Sequence, residues 1–135
     1  MDHVQGRATI FGLNWDASHD KGDNGEGYFG YNTRDQSLVG VSLPIAVING
    51  TIGNYKDHEI IKRIKSKAFQ VKVKAHTGKE IVAPIVDVGP AKWTHNAIDL
   101  TFGATRALGL RDNSVVTYWV IDHEGNTVPI HGWGG

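Results

Sequence analysis
Residues 71–109 read VKVKAHTGKEIVAPIVDVGPAKWTHNAIDLTFGATRALG, and this stretch decides the fold. With Phe69 in front, Phe69, Val71, Val73 and Ala75 alternate with Gln70, Lys72, Lys74 and His76. A period of two predicts a strand with one apolar and one wet face. Thr77-Gly78-Lys79 supplies a turn, and Glu80 to Val88 returns as the partner of a hairpin that ends at Gly89-Pro90. Thr101 to Gly109 then predicts a short helix, with Thr101 as N-cap and Gly109 at the C-terminal end.

Working outward, Arg7 to Gly12 predicts a strand, and Leu13 to Tyr31 a long loop dense in Gly, Asn and Asp. Ser37 to Pro44 predicts a strand ending at a proline, with apolar character running on through Ile45-Ala46-Val47-Ile48. Asp57 is placed to cap a helix within Lys56 to Lys67, where Ile60, Ile61 and Ile64 form one stripe and Lys62, Arg63, Lys65 and Lys67 face water. That basic cluster reads as a solvated face or, alternatively, as a contact for an anionic polymer. Val115 to Ile121 is a further strand, and Glu124-Gly125-Asn126 turns into Thr127 to Ile130. The core is expected to include Phe69, Val71, Val73, Val116, Tyr118 and Val120.

Composition narrows the class. With 135 residues the chain is expected to form one domain over residues 1–135, and 17 glycines favour a loop-rich all-β fold. Fourteen Lys and Arg balance fourteen Asp and Glu, so no large positive field exists to hold a phosphate backbone, and no nucleic-acid partner is expected. The lack of Cys excludes disulfides, thiolate metal sites and a cysteine nucleophile. His3, His19, His76, His123 and His131 show no metal-ligand spacing, so neither a metal nor another cofactor is expected. No apolar run approaches the roughly 20 residues of a membrane span. Met1 to Gly6 carries no signal-peptide pattern, so either the chain is not exported or a signal was removed and a start Met added.

The order of hairpin, Asp87-Val88-Gly89-Pro90, Ile98-Asp99-Leu100-Thr101 and a helix ending Ala107-Leu108-Gly109 resembles the double-psi β-barrel family of rare lipoprotein A, expansins and family forty-five endoglucanases. Its Asp-Arg-Gly-Pro turn and Ile-Asp-Leu-Ser strand match those two segments. Ala8-Thr9-Ile10-Phe11-Gly12 is similar to the family's Ala-Thr-Tyr-Tyr-Gly opening, and Ser42-Leu43-Pro44 to its Thr-Leu-Pro segment. The resemblance implies a six-stranded double-psi barrel with one or two short helices. It also implies action on a polysaccharide, peptidoglycan or β-glucan, by a secreted or cell-envelope protein expected to be monomeric. Family members differ in activity: endoglucanases hydrolyse β-glucan, rare lipoprotein A resembles a lytic transglycosylase, and expansins loosen walls without measurable hydrolysis.

The Asp matching Asp99 is the proton donor of the hydrolases, which implies that Asp99 is the general acid here. Its setting between Ile98 and Leu100 suits that role, since breaking a glycosidic bond needs a proton on the leaving oxygen. The alternative is a carboxylate that caps the following helix. Asp16 is the nearest candidate for a second carboxylate, ahead of Asp20 and Asp23, or else a turn-former. Asp87 either holds the Gly89-Pro90 turn through backbone N–H groups or acts as a second acid. His95 either orients and shuttles protons or is a surface residue. Trp15, Tyr28 and Trp93 are candidates to stack on sugar rings; loop aromatics can equally pack as a lid. Three positions depart from the family pattern: Gly40 stands where rare lipoprotein A relatives carry a His, Val88 replaces the Arg of Asp-Arg-Gly-Pro, and Asn96 lies near the place of an Arg that often precedes Ile-Asp-Leu. These departures favour, as the alternative to an enzyme, a non-catalytic glycan-binding or wall-loosening module. A purely structural role in a larger assembly is the third reading.

Overall fold
The hairpin expected from period-two alternation is the centre of the sheet. In the computed structural model, which describes residues 1–12, 25–111 and 114–134, β3 (Phe69–Ala75) pairs antiparallel with β4 (Glu80–Val88), Val71 facing Ala83 and Val73 facing Ile81. On its other side β3 pairs antiparallel with β6 (Val115–Asp122), Val71 facing Val120 and Val73 facing Tyr118. The first strand, β1 (Val4–Phe11), pairs antiparallel with β6 and parallel with β5 (Ile98–Thr101). β2 (Val41–Leu43) lies between β5 and β4, antiparallel to the first and parallel to the second. The ring β1-β5-β2-β4-β3-β6 closes through the β1–β6 pairing, and β7 (Thr127–Val128) adds to β6 outside the ring. Closure leaves the six ring strands no free edge.

Around this ring β5 separates β1 from β2, and β2 separates β5 from β4. The β1–β2 and β4–β5 connections therefore cross over one another's strands, which is the double-psi arrangement. Inward-facing residues from all six strands make one core, with Val4, Val41, Val71, Val73, Ile85, Ile98, Leu100, Val116, Tyr118 and Val120 buried. Phe69, expected in that core, is only partly buried and packs at its margin under the Arg63 guanidinium, 5.3 Å from the ring centroid. The Tyr118 hydroxyl has no hydrogen-bond partner among the described residues, and burial disfavours its ionised form, pushing its pKa well above the ordinary phenol value.

Among the described residues there are three short α-helices, where one or two short helices are expected from the sequence. The apolar run after Pro44 is α1 (Ile45–Thr51), not a continued strand. Its burial repeats at helical spacing: Pro44, Val47 and Ile48 point inward while Ile45, Ala46 and Asn49 face out. The expected strand from Ser37 correspondingly shrinks to Val41–Leu43. α2 (His58–Lys65) begins as anticipated, the Asp57 carboxylate accepting the Glu59 N–H at 2.9 Å. α3 (Phe102–Leu108) is capped by Thr101, whose hydroxyl oxygen accepts the Ala104 N–H at 3.2 Å, and ends on Gly109 with φ +66°.

The Val73 side chain is fully enclosed between β4 and β6, so Val73→Asp forces an unpaired charge into the core. A loss of roughly 4 kcal/mol is expected in chemical denaturation; unchanged stability would mean that this face of β3 is not the core face.

Candidate functional site
The polar residues singled out in the sequence come together through strand register. Thr9 of β1 pairs with Asp99 of β5, Asp99 pairs with Ser42 of β2, and Ser42 pairs with Asp87 of β4. Directly paired residues share a face, so Thr9, Asp99, Ser42 and Asp87 form one polar row across four strands. The next row inward is apolar: Ile10, Leu100, Val41 and Ile85.

Asp87 joins this row because β4 carries an extra residue. Val41 pairs with Ile85 and Ser42 with Asp87, so one step on β2 spans two on β4 and Val86 is bulged. Ala83 and Ile85 point into the core, and unbroken alternation would turn Asp87 inward after them. The bulge resets the alternation and turns it out. The Val86 side chain fits over Gly40: a Cβ on Gly40 would lie 2.5 Å from Val86 Cγ1. The space that a side chain at position 40 would need is thus taken by Val86.

Asp99 is half-buried, and its Oδ1 accepts a hydrogen bond from the Thr9 hydroxyl. Its Oδ2 lies beside Gly89, whose φ of +133° suits glycine and where an added Cβ would sit 3.6 Å from Oδ2. Ser42, buried under the turn, donates its hydroxyl to the Gly89 carbonyl at 2.9 Å, and the Gly89 N–H reaches the Leu43 carbonyl at 2.8 Å. The Gly89–Pro90 peptide bond is cis. Thr101, rather than Asp99, supplies the N-cap of α3.

The Asp87 Oδ1 accepts the backbone N–H of Val88 at 2.8 Å and that of Tyr28 at 3.0 Å, tying the loop before residue 32 to β4. Tyr28 is 42% exposed and forms an edge contact with Phe29 and a tilted one with Tyr55, centroids 5.1 and 5.4 Å apart. Tyr55 is a member of the site that sequence reading missed; its only local signal is an aromatic just ahead of a helix cap. Ser42 and Thr9 were visible as motif letters, but not as neighbours of Asp99. Trp93, 81% exposed, stands on the 3₁₀ turn Lys92–Thr94 in the β4–β5 connection. His95 follows in the left-handed conformation, φ 58°, with its side chain in solvent. Trp15, Asp16, Asp20 and Asp23 lie outside the described residues. Among the described residues no group of three or more His, Asp or Glu is placed to hold a metal ion, and no helix is long and apolar enough to cross a membrane.

The fold and this row define a double-psi β-barrel of expansin-like architecture. The fold is similar to that of an expansin from Clavibacter michiganensis in its apo form, with a TM-score of 0.53, 16% identity, and coverage of 90% of this chain and 51% of that one. The chain thus spans about half the length of that expansin. No protein-family model matches the sequence, and no curated protein is similar to it.

Two consequences are measurable. Asp87→Ala removes the acceptor of the Tyr28 N–H, so amide exchange at Tyr28 should accelerate about tenfold or more, while β3 amides stay protected; unchanged exchange would mean that another contact holds the loop. Gly40→Ala should cost about 1–3 kcal/mol through overpacking on Val86, and Val86→Ala in the same chain should return part of that loss, which a double-mutant cycle measures directly.

Proposed function
We propose that this barrel engages a cell-wall polysaccharide, peptidoglycan or β-glucan, along the Thr9–Asp99–Ser42–Asp87 row, and that Asp99 is the proton donor to the glycosidic oxygen. The observation that carries the reading is the placement of Asp99: a half-buried carboxylate on the polar row, oriented at Oδ1 by Thr9 and bordered at Oδ2 by a glycine without a side chain. As the bond to the leaving oxygen breaks, the Asp99 proton passes to that oxygen. A hydroxyl of the same sugar, or water, captures the anomeric carbon and returns its proton to the Asp99 carboxylate. Exposed Tyr28 and Trp93 offer faces for sugar rings, with His95 close to Trp93 in sequence on the connecting loop. Ser42 stands between Asp99 and Asp87 on the row, and the backbone bonds of Asp87 suit it to fixing the loop that carries Tyr28. Such a protein would work outside the cell, at the wall.

A second reading, a module that binds and loosens wall without cleaving it, is favoured by Gly40: Val86 fills the site where the family's lytic members are expected to carry a His. Product analysis separates the two. Wild type incubated with peptidoglycan and with soluble β-glucan should release soluble saccharides, and Asp99→Asn should lower the rate at least about 100-fold while leaving the thermal midpoint in place. Release of nothing by wild type, with retention on insoluble wall that survives Asp99→Asn, sinks the catalytic reading in favour of the binding one.

A further inference from the structure
Beyond the aromatic pair the surface changes from neutral to basic. An open groove along α2 is lined by His58, Glu59, Ile61, Lys62, Lys65 and Ser66. His58, Lys62 and Lys65 recur at helical spacing and share one face. No ion pair within 4.0 Å is found for Lys62 or Lys65 among the described residues, and Glu59 sits one turn before Lys62. The Lys65 side chain lies over Gly30, where an added Cβ would be 3.7 Å from Nζ. Gly30 is two residues from Tyr28, so Lys65 lies beside the same loop whose Tyr28 N–H bonds the Asp87 carboxylate. Lys67, just past the helix, holds a left-handed φ of 63° that glycine adopts more cheaply.

We propose that the α2 groove binds carboxylates of an acidic, uronate-bearing polysaccharide, with Lys62 and Lys65 reading charges on the same chain that crosses the Asp99 row. This inference rests on the reading that the row engages a cell-wall polysaccharide, and it adds an acidic class to the two polymers named there. Lysine ammoniums take a carboxylate from many directions, without the planar fork that arginine imposes. Glu59 within the groove and the zero net charge of the chain disfavour a densely phosphorylated polymer such as DNA, and suit single charges spaced by sugar rings.

The test is retention by affinity electrophoresis of the whole chain on polygalacturonate, on a neutral soluble β-glucan and on a single-stranded DNA oligonucleotide, at low and raised salt. Wild type should bind polygalacturonate at least tenfold more tightly than either other polymer at low salt, and salt should weaken that binding. Lys62→Glu/Lys65→Glu should lose tenfold or more on polygalacturonate, with neutral-glucan retention and thermal midpoint unchanged. Lys74→Glu/Lys79→Glu, of identical net charge but off the groove, should keep it. Wild-type retention by the α2 variant, an equal loss in the control variant, or DNA bound as tightly as polygalacturonate each overturns the proposal. Saccharide release dependent on Asp99 is read separately, so its failure is distinct from this one.

Discussion
One extra residue in β4 governs how this barrel presents its polar chemistry. With Val86 bulged between Val41–Ile85 and Ser42–Asp87, the strand keeps its apolar side chains in the core up to Ile85 and then turns Asp87 onto the row shared with Asp99. The bulge needs room, and Gly40 provides it by offering no Cβ to the Val86 methyls. The freed Val86 carbonyl takes the Phe29 N–H at 3.4 Å and lies where a Cβ on Gly27 would come within 2.2 Å. A single local irregularity thus sets a carboxylate, two glycines and the loop that carries Tyr28.

Thr101 plays the matching part on the other side of the row. Its hydroxyl donates to the Leu38 carbonyl at 2.6 Å and accepts the N–H groups of Gly40 and Ala104, while its own N–H bonds the Gly40 carbonyl at 3.1 Å. One buried side chain therefore ends β5, starts α3 and holds the strand-like approach to β2. Asp99, two residues earlier, is relieved of capping work, and its oxygens face Thr9 and the Gly89 turn. Division of labour between a capping threonine and a row carboxylate follows from strand alternation, which puts residues 99 and 101 on the same face.

The surface around the row is graded. Its centre is polar and flanked by exposed aromatics, and its far end at α2 is basic, on a chain whose charges sum to zero. On the proposed reading, the α2 lysines would orient an extended acidic chain more than they would strengthen any single contact.

The sequence by itself determined the β3–β4 hairpin, β6, the caps of α2 and α3 and most of the core, because alternation, Asp and Thr caps and a terminal Gly act over a few residues. The resemblance carried by Asp87 to Pro90 and Ile98 to Thr101 picked out segments that strand pairing brings together through Ser42. Local rules failed where a short apolar run fits either period: Ile45 to Ile48 reads equally as strand or helix, and only packing of Val47 and Ile48 against the core settles it. Tertiary structure alone decided the Val86 bulge, the seating of Ser42 between Asp99 and Asp87, and the joining of Tyr28, Tyr55 and Lys65. These depend on strand order and on contacts between residues far apart in the chain, and neither is encoded in the periodicity of any one segment.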